Sequence, residues 1–188
     1  VGAARHSAKV GVHGLSAVLK AFGGAQAHGM SKVIVARSAG SLALSEALWS
    51  QGASFSDEIN RVQRVVLSAP LLKWSEYKRR NSFAGLKTQV VVTRNRNDQT
   101  LQFADWIDGF GPMLGLEEGF DGASTCQICL DFTDSPRVGR LHDYLFLKIN
   151  PAQSEINRRL MTESVFDPLQ AVEEHLLRAE NAGVFHVQ

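Results

Sequence analysis

A chain of 188 residues, 44 % hydrophobic and 21 % charged, makes about one domain and needs no cross-links to hold a core. That composition excludes a disordered tail, a collagen-like fibre and a coiled coil, and no apolar run approaches the roughly 18 residues of a membrane span. A net charge of +1 supplies no field for a phosphate backbone, so no nucleic-acid partner is expected, and two cysteines cannot build a disulfide framework.

In chain order, residues 3 to 22 carry Val10, Ala17, Val18 and Phe22 at helical spacing, closed by Gly23-Gly24. Lys32 to Ala36 is a β-branched run, as expected for a strand buried on both faces. Ser38 to Ser50, rich in Ala, Leu and Ser, reads as a buried helix. Arg64 to Ala69 is a second buried strand, ended by Pro70. Residues 74 to 84 form a basic helix or turn, and Thr88 to Thr93 a third strand. Residues 99 to 108 read as a helix with Leu101, Ala104 and Ile107 near one face. Residues 109 to 124 are a Gly-rich loop. Its Phe110, Met113, Leu114 and Phe120 either line a pocket or lid, or pack as a surface loop. Thr125 to Phe132 is a fourth strand. A helical C-terminal region follows, clearest over Pro168 to Asn181, with Pro168 at its start and Gly183 past its end.

Strands alternating with helices imply an α/β fold: a parallel sheet of about four or more strands with helices on both faces. In such sheets ligands bind at the carboxyl ends of the strands, so the residues after each strand are the candidates for chemistry. After the first strand stands Ala36-Arg37-Ser38-Ala39-Gly40, the small-x-Ser-x-Gly pattern of a nucleophile elbow. Ala36 and Gly40 would let strand and helix approach, Ser38 would face the rim, and the Ala39 N–H would donate to an oxyanion. The plainer reading makes Ser38 a helix N-cap. Asp98 follows the third strand, where an acid that orients an imidazole would stand, or it too caps a helix. His142 follows the fourth strand in a Gly-containing loop, placed as a general base or simply solvated. Together they stand in the order Ser, Asp, His, each behind a strand, which is the order of the α/β-hydrolase triad.

These segments resemble bacterial α/β-hydrolase-like families. VIVARSAGSLALSEAL resembles their AHSMG elbow, TQVVVTRNRNDQTL their strand and acid turn, and RVGRLHDYLFL their His-x-Tyr loop, over roughly residues 30 to 150. The resemblance implies a partial α/β-hydrolase fold and a serine hydrolase acting on an ester or other acyl bond. Ser38 would be its nucleophile, His142 its general base and Asp98 the orienting acid. It implies a small acyl substrate and no cofactor; no metal is expected, because the histidines show no ligand spacing and no second Cys pair completes a zinc site. The position before the nucleophile, usually His in those families, is Arg37 here. His13-Gly14 has the letters of an oxyanion pair but lies in the first helical stretch.

The elbow comes early, and the chain opens at Val1 rather than methionine. The expectation is therefore one domain over residues 1 to 188 that holds the C-terminal half of a hydrolase sheet. Its open sheet edge would be covered by missing chain, a second copy or a partner chain. The alternative is a non-catalytic interaction or assembly module without a complete oxyanion hole. No signal-peptide pattern is visible, which favours the cytoplasm. Cys126 and Cys129 read as structural. His6, His13, His28, His175 and His186 read as surface or incidental residues. Arg61, Arg64, Lys73, Lys78, Arg79 and Arg80 read as solvated charge. Asp131, Asp134 and Asp143 are reserve candidates for the acid.

Overall fold

The computed structural model describes residues 6, 10–12, 14–19, 21, 32–80, 83, 85–108, 111–117, 127–135, 138–146, 151–163, 166–181 and 184–187. Four parallel strands come first: β1 (Val33–Arg37), β2 (Arg64–Ser68), β3 (Gln89–Arg94) and β4 (Gln127–Asp131). They lie side by side in sequence order, and β6 (Val184–Val187) pairs in parallel beyond β4. Antiparallel β5 (Leu177–Asn181) closes that side of the six-stranded sheet.

Continuous β-branched strands need cover on both faces, and each strand divides its side chains between two cores. The division is clearest in β3, where Val90 and Val92 join one core and Val91 the other. Helices α1 (Ala39–Gln51), α2 (Ala53–Ile59) and α3 (Trp74–Arg80) contribute Leu44, Ile59 and Tyr77 to the first. Helices α4 (Gln99–Asp108), α5 (Pro151–Thr162) and α6 (Pro168–Glu173) contribute Leu101, Leu160 and Ala171 to the second. The chain is thus α/β, with helices on both sheet faces.

Several expectations change. Residues 10–12 and 14–19 are helical, but the buried positions include Val12 and Leu19, while Val10 and Val18 face solvent. Phe22 and Gly23-Gly24 lie outside the described residues. The helix expected to reach Asn181 ends at Glu173. His175 then takes a left-handed φ of 60°, and the chain returns as the β5–β6 hairpin. The start of α6 is as read, with Asp167 accepting from the Leu169 N–H at 2.9 Å and Pro168 in the first turn.

Arg64 and Lys73 are buried rather than solvated. Arg64 donates to the carbonyls of Leu160 at 2.5 Å and Glu163 at 3.3 Å, covering acceptors that the end of α5 leaves open. Burial pulls its guanidinium down to about 10. His186 is also buried, not incidental surface. Among the described residues, no helix is long and apolar enough to cross a membrane.

Candidate active site

Ser38 sits at the exit of β1 with φ 49° and ψ −119°, and it caps α1 without a side-chain hydrogen bond. An ordinary Ser cap has extended backbone and an engaged hydroxyl. Ser38 holds the cap position with neither, so its side chain does no capping. This backbone is one that side chains rarely adopt, and it persists only where the surroundings hold it. Here the Ser38 N–H donates to the Ser68 carbonyl at 2.9 Å. The Ser38 carbonyl accepts from the Ser41 and Leu71 N–H groups at 3.1 and 3.2 Å, and from the Ser41 hydroxyl. The turn is pinned to the end of β2 and to its own helix at once.

Ala36 is buried in the first core, as a tight strand exit requires. Gly40 does not support the close-approach argument, because a Cβ there would meet nothing within 4 Å. Ala39 opens α1, where the first N–H groups have no partner within the helix.

Asp98 is fully buried and uses both carboxylate oxygens. Its Oδ1 accepts from the Thr100 and Leu101 N–H groups at 3.0 and 3.1 Å. Its Oδ2 lies 2.7 Å from His142 Nδ1. The capping reading and the orienting reading of Asp98 each find a contact, one on each oxygen. The His142 side chain is only 14 % exposed, so it is not a solvated loop histidine.

Asn95 is a residue that the sequence reading passed over. It is fully buried, and its Nδ2 donates to the carbonyls of Gly139 at 2.9 Å and Leu141 at 3.2 Å. Its own Oδ1 accepts from the Asn97 N–H at 3.0 Å. One side chain therefore shapes the acid turn and fastens the histidine loop to it. An Asn directly after a strand, with a second Asn two residues on, was the available signal for such a turn. Lower in the site, Thr93 Oγ1 accepts from the Ala69 N–H at 3.1 Å and shares a 3.1 Å hydrogen bond with Tyr144 OH. Burial pushes the Tyr144 phenol well above its ordinary value, so that hydroxyl stays neutral.

The reserve acids have other partners. Asp131 meets Arg94 at 2.8 Å, and Asp143 meets Arg37 at 3.1 Å. Asp134 is largely exposed. Met113 and Leu114 are buried, so this part of the Gly-rich loop packs inward; Phe110 and Phe120 lie outside the described residues. Cys129 is a buried free thiol that desolvation pushes up to about 12, which makes it inert; Cys126 lies outside the described residues. Among the described residues no group of three or more His, Cys, Asp or Glu side chains could hold a metal ion.

The chain matches no family model, no curated protein and no solved structure. Its own geometry is therefore the guide to its chemistry. Asp98 and His142 form a hydrogen-bonded pair. No hydrogen bond joins Ser38 to His142 among the described residues. Their chain neighbours do touch, through Arg37 and Asp143.

Proposed function

We propose that this chain is a serine hydrolase of the α/β-hydrolase type, cleaving an ester or other acyl bond through an acyl-enzyme. The observation that carries the reading is Ser38: a strained residue between strand and helix whose hydroxyl no cap consumes. A backbone that costs on the order of 1–3 kcal/mol points to function when two neighbouring elements hold it in place. The sequential order of β1 to β4, with Ser38, Asp98 and His142 behind β1, β3 and β4, supports the same reading.

In this mechanism Ser38 Oγ attacks the substrate carbonyl and His142 Nε2 takes its proton. Asp98 Oδ2 holds Nδ1–H and so leaves Nε2 as the base. The tetrahedral oxyanion is met by the Ala39 N–H at the positive end of α1, a donor of the kind worth about 3–4 kcal/mol. The imidazolium then protonates the leaving group as the bond from the acyl carbon breaks. A water, deprotonated by the same imidazole, releases the acid and restores Ser38.

The test is covalent labelling by a fluorophosphonate probe. Wild type is expected to take the label at Ser38, and Ser38→Ala to take none. Equal labelling of the two overturns the proposal. An unlabelled wild type would return the chain to the class of non-catalytic interaction modules.

A further inference from the structure

Strands β1 and β4 are three spacings apart in the sheet, about 14 Å, so the loop after β4 must arch back for His142 to serve Ser38. Asn95 fastens the root of that arch above β3. A second tie reaches the turn after β1. Arg37 Nε lies 3.1 Å from Asp143 Oδ1, which joins the residue before Ser38 to the residue after His142. Although both side chains are 44 % exposed, Asp143 Oδ1 itself is shut off from solvent and accepts no hydrogen bond among the described residues. The Arg37 guanidinium sets an opposite charge against that shielded oxygen.

We propose that Arg37 and Asp143 are a positioning pair for Ser38 and His142, an inference that rests on the serine-hydrolase reading. The pair does two things. It ties the histidine loop to the elbow, and it places an opposite charge against the carboxylate of the residue that follows His142. Asp98, from the turn before α4, contacts the His142 ring at 2.7 Å; Arg140 and Asp143 lie in the same loop as His142, and Arg37 reaches that loop through Asp143. With Arg37 removed, Asp143 would favour the imidazolium and deplete the base. With Asp143 removed, Arg37 would disfavour it.

The opposed signs make the test specific. The rate of fluorophosphonate labelling is followed against pH in the full chain. Arg37→Gln is expected to label about twofold to fivefold more slowly, the scale of a partly exposed ion pair, with its acid-side inflection moved to higher pH. Asp143→Asn should move that inflection to lower pH. The double variant should bring it back toward wild type, and Arg37→Lys should hold it near wild type. If wild type labels at Ser38 and both single variants keep its rate and inflection, the pair has no positioning role and the hydrolase reading stands. If wild type takes no label, the hydrolase reading falls and hydrogen exchange over residues 138–146 decides the pair. Faster exchange in Arg37→Gln would then support the tie, and unchanged exchange would overturn it.

Discussion

Asp98 and His142 are joined by a 2.7 Å contact in which one carboxylate oxygen faces the imidazole while the other caps α4. The same side chain therefore sets a helix start and a histidine tautomer. Because the carboxylate is fully buried and anchored by two backbone N–H groups, it cannot turn away from the ring.

That shared use separates two effects. Asp98→Asn keeps an oxygen for the cap but presents an amide to Nδ1, which favours the wrong tautomer. Labelling of Ser38 is expected to fall on the order of 10³-fold or more, with little loss of stability. Asp98→Ala should show the same labelling defect and also lose about 1 kcal/mol of cap. Labelling rates and urea midpoints on both variants check this. Near-wild-type labelling by Asp98→Asn would remove Asp98 from the mechanism.

Strain at Ser38 is measurable without any substrate. At φ 49° a glycine is at ease and an alanine is not. Ser38→Gly should therefore unfold at higher urea than Ser38→Ala, by about 1 kcal/mol, although both lack the hydroxyl. An alanine variant at least as stable as the glycine variant would show that the turn is not strained.

A second ionic cluster, remote in role from the site, contributes to stability in a pH-dependent way. Arg94, Asp131 and His186 stand in register across β3, β4 and β6. Burial pushes the Asp131 carboxyl up, but the Thr133 hydrogen bonds and Arg94 outweigh it and hold it below the ordinary range. A carboxyl lowered on folding stabilises above its unfolded value, about 3.9, and that contribution is lost as pH falls through the folded value. Asp131→Asn should cost about 3 kcal/mol at pH 7, where it leaves Arg94 buried without this counter-charge. The gap to wild type should narrow at about pH 3. Urea unfolding at the two pH values tests the sign, and a gap that widens in acid would contradict it.

The strands that build the rim were legible because each is a local event. Val90, Val91 and Val92 announce a strand covered on both faces without reference to anything distant. Ser38, Asp98 and His142 were legible as candidates for a related reason, as polar residues behind such runs. The β5–β6 hairpin was not. Leu177 to Asn181 contains good helix formers, and only pairing with β6, itself held by β4, makes them a strand. Arg64 and His186 misled in the same way. A charged residue reads as solvated until its partners are known, and those of Arg64 include Gln89 in β3 and, 96 positions on, Leu160 in α5.

Periodicity and position behind a strand are short-range properties. They were enough to reach the α/β class, the four parallel strands and the three polar residues at their ends. It took the folded chain to show that Ser38 is strained with its hydroxyl unspent, and that Asp98 serves a helix and a histidine together. The ties from Asn95 and Arg37 to the histidine loop also emerged only there. Each of these depends on where two distant backbones come within a hydrogen bond of one another, and no local pattern encodes that distance.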